Sequence, residues 1–225
     1  MPIAGTGMLM TSMDIDAAHE HEFNAWYDRE HLAERVAIEG FMEARRYVAV
    51  AASPNCPKYL GLYSTKTFDV LDSDAYRTAL ASQTVWSKTN IGRFQNMLRS
   101  VARITASRGQ GRGAVLGLVR IRPPQDNADA LRAGIKALLD PGTLDGIISL
   151  HLMESDPRLS KPLTDDPAAP NPAARDWYVM IDGTDAEAVA SVMHGRFDAA
   201  VAASSATLIS SGIYRLMWDL AKADL

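Results

Sequence analysis

The chain lacks the features that several large protein classes require. It has one cysteine, Cys56, so no internal disulfide can form, and a reducing, cytoplasmic location is expected. Its formal net charge of −4 leaves no broad basic field, which argues against a nucleic-acid partner. Its apolar runs fall short of the roughly 20 residues of a membrane helix, so no membrane association is expected. No GxGxxG or Walker A sequence marks a nucleotide cofactor.

What is present is a repeated order of predicted elements. Hydrophobic periodicity and turn residues predict β-α-β-β-α-β over residues 1–107 and again over 113–225, with the Gly/Arg-rich joint SRGQGRG between them. In the first half the predicted strands are 7–15, 41–50, 58–67 and 97–106, and the predicted helices are 17–38, 72–82 and a short one within 84–96. In the second half the predicted strands are 114–122, 145–154, 176–182 and 209–218, and the predicted helices are 126–139 and 185–203.

This order predicts an α+β fold made of two tandem, duplicated ferredoxin-like units with antiparallel sheets. Each such unit leaves one sheet face without helices, and two of these faces can pack on each other. A tandem pair is therefore expected to form, within one chain, the barrel that shorter relatives form by dimerising. The loop 155–175, with five prolines, is too long for a simple hairpin and is expected either to be disordered or to cover a pocket mouth.

The first predicted helix carries ionisable groups on the face that should be buried. At about 100° per residue, Glu30 and Glu34 lie in the middle of an aromatic and apolar face, and His31 lies at its edge. The other members of this face and its edge are Phe23, Asn24, Trp26, Tyr27, Ala33, Ala37 and Ile38. A carboxylate in a dry core costs several kcal/mol unless it is paired. The face is therefore expected to border a polar cavity or to pair its carboxylates.

Two interpretations of this face remain open from spacing alone. Arg45 and Arg46 on the next strand are placed to pair with Glu30 and Glu34, which would make His31 a packed core histidine. The matching helix of the second half has Leu131, Ile135 and Leu138 at helical spacing, with no ionisable residue in the stripe. This difference favours a functional site in the first half, lined by residues 24–34 and not by 128–139.

The first half also carries a family resemblance. EFNAWYDREHL (22–32), GFMEARRY (40–47) and PKYLGLY (57–63) resemble the EthD-like and related members of the dimeric α+β-barrel superfamily, over about residues 7–106. The resemblance implies a ferredoxin-like fold with a cavity between helices and sheet, and it matches His31 to the motif histidine. The superfamily includes cofactor-free monooxygenases, isomerases, dehydrochlorinases, lyases and haem enzymes, so the fold does not select the reaction.

Further candidates lie on the neighbouring elements. Trp86, Asn90, Arg93 and Phe94 would share one face if 84–96 is helical, and Arg93 could then hold the carboxylate of a substrate. Tyr59 and Tyr63 alternate on the third strand and point to one sheet face, with Gly61 leaving room between them. No metal site is expected, because His19 and His21 project to different sides of a helix. His151 and His194 are weak candidates for a haem ligand.

The sequence thus predicts a cofactor-independent enzyme for an aromatic or cyclic small molecule, acting by isomerisation or elimination. His31, Glu34 and Tyr27 are the predicted catalytic residues. The predicted substrate-binding residues are Asn24, Trp26, Glu30, Arg46, Tyr59, Trp86, Asn90 and Arg93. A cofactor-free monooxygenase and a non-catalytic ligand-binding barrel are the alternatives, and a homodimer is left open.

Overall fold

Eight antiparallel strands close into one barrel, and each half of the chain supplies four of them. The computed structural model describes residues 3–51, 56–161 and 171–225. The strands are β1 (Gly7–Asp14), β2 (Phe41–Ala49), β3 (Tyr59–Thr65), β4 (Gln95–Gly109), β5 (Val115–Arg122), β6 (Ile147–Ser155), β7 (Trp177–Gly183) and β8 (Thr207–Ala221). The α-helices are α1 (Glu20–Trp26), α2 (Leu32–Ala37), α3 (Asp74–Ala81), α4 (Val85–Ile91), α5 (Ala128–Leu138), α6 (Ala186–Val192) and α7 (Ala199–Ala202).

The strand order confirms the predicted fold class. The first half contributes the run β4-β1-β3-β2, and the second half contributes the corresponding run β8-β5-β7-β6. The two runs meet where β2 pairs with β8 and where β4 pairs with β6, both antiparallel. Each run has the strand order of a ferredoxin-like unit, so two such units share one closed sheet. β4 continues to Gly109, past the predicted end of the first half at residue 107.

Strand alternation sorts the side chains into the barrel lumen and two outer layers. The lumen is filled by apolar residues of both halves, among them Met8, Leu62, Leu116 and Met180. The outer face of the first half packs against α1 to α4, and the outer face of the second half packs against α5 to α7. The helices therefore lie outside the barrel, and β8 of the second half also contacts the first-half helix layer, where the Trp218 indole N–H donates to Asp28 Oδ1 at 2.9 Å.

One end of the lumen contains a charged network that crosses from one half to the other. Arg45 bonds Glu43 at 2.8 Å and lies 3.7 Å from Asp182 of β7. Arg112, in the joint between the halves, also bonds Glu43, at 2.8 Å. Because neighbouring residues of a strand face opposite ways, Arg45 points into the lumen and Arg46 points toward the helices. The predicted alternative in which both arginines pair with Glu30 and Glu34 is therefore wrong for Arg45.

The described part of the long loop of the second half packs on the first half. Asp156 donates its backbone N–H to the Val101 carbonyl, and the Ser160 side chain bonds both backbone groups of Val101. Residues 162–170 of the predicted 155–175 loop, and residues 52–55 between β2 and β3, lie outside the described residues. Among the helices of the described ranges, none is long and apolar enough to span a membrane.

Candidate functional site

The helix that carries the predicted site residues is interrupted by a π-helical turn. α1 ends at Trp26, Tyr27–His31 form the π turn, and α2 begins at Leu32. The Leu32 N–H bonds the Tyr27 carbonyl, five residues earlier, in place of the usual four. π turns of this kind interrupt α-helices frequently at functional sites.

The π turn changes which residues of α2 are buried. One extra residue in a turn rotates everything after it by about 100° relative to a continuous α-helix. Leu32, Arg35 and Val36 are the buried residues of α2, whereas Glu34 is half-buried. The helical wheel places Glu34 at the centre of this face, and the structure places Arg35 there. Glu34 lies at the partly exposed margin, three residues from His31.

Arg46 ties α1 and the π turn to the sheet. Its buried guanidinium donates to Asn24 Oδ1, and to Asp28 Oδ1 at 3.0 Å. Its central carbon lies 4.2 Å from the ring centroid of Tyr27 and 5.3 Å from that of Tyr59. Arg46 therefore pairs with neither Glu30 nor Glu34, and its described contacts give it a structural role. Asn24 is held between Arg46 and the Tyr59 hydroxyl, which lies 3.4 Å from Asn24 Nδ2.

Glu30 is occupied by the segment that begins α4. Its Oε1 accepts hydrogen bonds from Thr84 Oγ1 at 2.6 Å and from Ser87 Oγ at 3.2 Å. The Trp26 indole N–H also donates to this oxygen, at 3.2 Å, and to Ser87 Oγ, at 3.1 Å. Thr84 is in turn the N-cap of α4, since its hydroxyl accepts from the Ser87 N–H. Glu30 and Trp26 therefore anchor α4 against the π turn.

His31 sits among aromatic rings on the side of the helix that faces the sheet. Its ring lies over the Trp26 ring, with centroids 4.1 Å apart, and contacts Tyr27 edge-on at 5.0 Å. Tyr63 of β3 meets it edge-on at 6.2 Å. His31 Nδ1 is buried and has no hydrogen-bond partner among the described residues. The Tyr63 hydroxyl lies beside that of Tyr27 without forming a regular hydrogen bond to it.

Burial and nearby positive charge determine the protonation states of this cluster. Burial, followed by the charges of Arg35 and Arg46, lowers the pKa of His31 well below 6.5, so the imidazole is neutral at pH 7. Burial raises the pKa of Tyr27 and raises that of Tyr63 well above 10, so both hydroxyls keep their protons. The result is a neutral base beside two phenolic donors and two arginine cations.

Arg35 is the residue of this cluster that sequence reasoning missed. It lies four residues after His31, is only 3% exposed, and acts electrostatically on His31, Tyr27 and Tyr63. The spacing of His31 and Arg35 is a visible signal, because residues four apart share a helix face. A helical wheel that continues without interruption from Phe23 places Arg35 away from the buried face, so the wheel did not reveal this residue. We call Tyr27, His31, Arg35, Arg46 and Tyr63 the His31 cluster.

The predicted face of Trp86, Asn90, Arg93 and Phe94 does not form as one helical surface. α4 ends at Ile91, so Arg93 and Phe94 follow the helix in a turn that leads into β4. Arg93 is paired with Glu22 of α1 at 2.5 Å. Asn90 is buried and bonds the Trp86 carbonyl at 3.0 Å. This segment packs over α1 and is held there by the ion pair of Arg93 with Glu22. Substrate binding by its residues stays a prediction.

The outer layer of the second half also contains a π turn, Met193–Asp198 between α6 and α7, so a π turn alone does not distinguish the two halves. Its core consists of apolar side chains, including Leu131 and Ile135 of α5, with Val179, Val189 and Phe197. A small cleft within the described residues lies in the barrel lumen, between Cys56, Tyr178 and Tyr214. Its water-accessible volume of about 20 Å³ holds one or two water molecules. Neither 24–34 nor 128–139 lines this cleft, so the predicted location of a substrate pocket stays a prediction.

The histidines considered for haem do not fit that role. His151 is buried in the lumen, and its two ring nitrogens lie 2.9 Å from Ser107 Oγ and 3.1 Å from Ser149 Oγ. His194 is exposed and its Nδ1 bonds Asp198 at 2.7 Å. Both nitrogens of His151 are therefore engaged, and the Asp198 carboxylate engages one nitrogen of His194. In the ranges that the structure covers, no group of three or more His, Cys, Asp or Glu side chains is arranged to hold a metal ion.

Comparison with solved structures finds the same architecture in several proteins. An anthrone oxidase-like protein matches with a TM-score of 0.64 at 12% identity, covering 98% of this chain and 95% of that one. A proposed monooxygenase from Lactobacillus acidophilus matches with a TM-score of 0.59 at 10% identity, covering 97% of each chain. A haem-binding protein from Thermus thermophilus matches with a TM-score of 0.54 at 14% identity, covering 96% of this chain and 92% of that one.

No protein-family model matches the sequence, and no curated protein is similar to it. The narrower EthD-like resemblance of residues 7–106 therefore stays a prediction. At identities of 10–14% a structural likeness establishes the fold alone. The chain has a ferredoxin-like α+β-barrel fold, with both halves of the barrel in one polypeptide.

Proposed function

We propose that the chain is a cofactor-independent enzyme that removes a proton from a small aromatic or cyclic substrate, with His31 as the base. The observation that carries this proposal is the state of the imidazole. It is neutral at pH 7, and its buried Nδ1 has no hydrogen-bond partner in the described part of the chain. A general base needs an unprotonated nitrogen that is free to accept a proton, and most buried histidines have both nitrogens bonded.

The surroundings of His31 suit the anion that such a proton transfer creates. Tyr27 and Tyr63 keep their protons and are therefore hydrogen-bond donors toward a developing oxyanion. Asn24, the other donor predicted for this task, is already engaged by Arg46 and Tyr59. Glu34 is half-buried, and burial followed by the charge of Glu30 raises its pKa. We assign Glu34 to proton exchange between His31 and solvent, because it sits at the margin of the cluster.

Two reactions can follow the proton transfer. The anion can be reprotonated or can expel a leaving group, which gives the isomerase or lyase reaction expected from the sequence. It can instead react with O2, and the neighbours described as anthrone oxidase-like and as a proposed monooxygenase favour this second course. For anthrone, the CH2 group is oxidised to a carbonyl, one oxygen atom of O2 is retained, and the other leaves as water. This oxygenase reaction was the alternative drawn from the sequence.

Anthrone is a suitable probe because the two steps can be measured separately. Exchange of its methylene protons with D2O, followed by NMR without oxygen, reports proton abstraction, and O2 uptake reports oxygenation. We expect His31→Gln to lower the enzyme-dependent rates about 10²–10⁴-fold, the usual scale for a positioned base. His21→Gln is the matched control, since His21 is an exposed histidine on the same helix.

The outcomes separate the candidate functions. Exchange and uptake that both depend on His31 support the oxygenase, and exchange without uptake supports the isomerase or lyase. If aromatic ligands bind but the protein accelerates neither step, the chain is a ligand-binding barrel and the enzymatic proposal is wrong. A large fall in melting temperature for His31→Gln would identify His31 as a packed core residue.

A further inference from the structure

Arg35 differs from every other buried arginine of the described residues. The others each have protein partners: Arg45 bonds Glu43, Arg46 bonds Asp28, Arg99 donates to the Leu159 and Lys161 carbonyls, and Arg120 bonds Asp176. Arg35 is 3% exposed, and its Nε and Nη1 are buried without a hydrogen-bond partner in the part of the chain that the structure describes. The fold thus leaves two nitrogens of one buried guanidinium without an acceptor among the described residues.

Burial of a guanidinium without partners is unfavourable unless a hydrogen-bond acceptor is supplied to it. A guanidinium cannot lose its proton in a protein, so burial must be compensated by an acceptor. Glu34 precedes Arg35 in the chain but lies at the exposed margin of the helix, and no carboxylate of the described residues is within salt-bridge distance of Arg35. Burial is the largest influence on the pKa values of His31, Tyr27 and Tyr63, and the charge of Arg35 acts to lower all three.

We propose that Arg35 binds the anionic oxygen of an aromatic ligand in the His31 cluster, as a carboxylate or a phenolate. The planar guanidinium presents adjacent N–H groups that match two acceptor lone pairs, which an isolated ammonium does not. The rings of Trp26, Tyr27 and Tyr63 around His31 favour a flat aromatic body on the ligand. His31 is partly exposed, so the His31 cluster reaches solvent on the side of this residue.

This inference rests on the proposed function for its location, and it adds the substrate class. A carboxylate would be present before binding, whereas a phenolate would form when His31 accepts the phenol proton. In the first case Arg35 selects acidic substrates from solution. In the second case it stabilises the product of the proton transfer and acts on the reaction itself.

Calorimetric titration of the full chain with 2-naphthoate tests the first source of the anion. We expect wild type and Arg29→Gln to bind alike, since Arg29 is an exposed arginine on the same helical segment. Arg35→Gln should bind about 10- to 100-fold more weakly, the effect of losing a charged hydrogen bond. The affinity of Arg35→Lys should lie between those of wild type and Arg35→Gln, because lysine keeps the positive charge but lacks the paired N–H donors of a guanidinium. His31→Gln should retain binding.

Titration with 2-naphthol tests the second source. Its anion has a distinct absorption band, so bound naphtholate at pH 7 is visible directly. We expect this band with wild type and its loss in both Arg35→Gln and His31→Gln. Binding of 2-naphthoate without naphtholate formation assigns the carboxylate source, and naphtholate alone assigns the phenolate source.

Several outcomes would overturn the assignment. Equal affinity of wild type, Arg35→Gln and Arg35→Lys for 2-naphthoate, together with equal naphtholate formation, would show that Arg35 binds no anion. Failure of wild type to bind either probe at millimolar concentration would count equally against it. Arg35→Gln should melt no lower than wild type, because an uncompensated buried charge is removed, and a clear fall would show a structural role. Turnover that depends on His31 but not on Arg35 would refute this inference and leave the proposed function intact.

Discussion

Replacing Arg46 by methionine separates its structural role from the substrate-binding role predicted for it. The Arg46 side chain is 1% exposed and joins β2 to the helix through Asn24 and Asp28. Methionine keeps part of the aliphatic stem and removes the charge and the donors. It leaves the Asn24 amide oxygen without its partner and Tyr27 without the cation that lies 4.2 Å from its ring centroid.

The expected loss follows from these contacts. A hydrogen bond from a charged donor contributes about 1.5–3 kcal/mol, and cation–π contacts with desolvated rings contribute about 0.5–2 kcal/mol. The pair with Asp28 adds little, because that side chain is 50% exposed. We expect Arg46→Met to lose about 3 kcal/mol of the free energy of unfolding. In a chain of this size each kcal/mol lowers the melting temperature by about 2–4 °C. Arg46→Met should therefore melt about 6–12 °C below wild type in a circular dichroism scan.

Arg29→Met is the control, since Arg29 is exposed on the same helix and its replacement should shift the melting temperature by less than about 2 °C. If Arg46→Met also melts within about 2 °C of wild type, the contacts described for Arg46 do not hold the helix on the sheet. Loss of ligand binding in that stable variant would then restore Arg46 to the substrate-binding role predicted from the sequence.

Two further predictions concern the His31 cluster. A Cβ at Gly61 would lie 3.2 Å from the Tyr63 ring and 3.2 Å from Thr11 Oγ1. Gly61→Ala should therefore displace Tyr63, lower turnover, and lower the free energy of unfolding by about 1–3 kcal/mol in chemical denaturation. Unchanged turnover would exclude Tyr63 from the site. Because the His31 pKa is lowered from 6.5 on folding, the unfolded state binds more protons just below pH 6.5. Stability should therefore fall as pH decreases from 6.5 toward the folded pKa, and His31→Gln should remove that part of the slope; equal slopes would mean that His31 titrates normally.

The fold could be predicted because its signals are local and repeated. Strand alternation, turn residues and helix ends recur in the same order in both halves. Gly40, between α2 and β2, has a positive φ of 82°, which favours glycine there. Barrel closure followed from the helix-free sheet face of each unit. The covering segment was less predictable, because α4 ends at Ile91 and its first turn is held by contacts with Glu30, which lies far away in sequence.

The candidate site was predicted in part, and the error has one physical origin. His31, Tyr27 and Trp26 lie where the helical wheel placed them, in contact with one another. Beyond them the wheel fails, because the π turn adds a residue and exchanges Glu34 for Arg35 at the buried centre. No residue pattern in Tyr27–His31 demands a π turn. The π turn is stabilised by the packing of Tyr27 on Arg46 and by the contacts of Glu30 with α4. These contacts join residues that are far apart in sequence, so a rule based on neighbouring residues does not predict them.

The asymmetry of the two halves follows from joining them in one chain. In a homodimeric barrel every substitution appears twice, so a buried arginine without a partner would destabilise both helix layers. Here the corresponding layer of the second half has Leu131, Ile135 and other apolar side chains, whose burial adds stability. The first half then carries the partly exposed His31 and the buried Arg35 while destabilising only one layer. The single-chain barrel therefore tolerates one polar cluster, because the apolar packing of the opposite layer does not change with it.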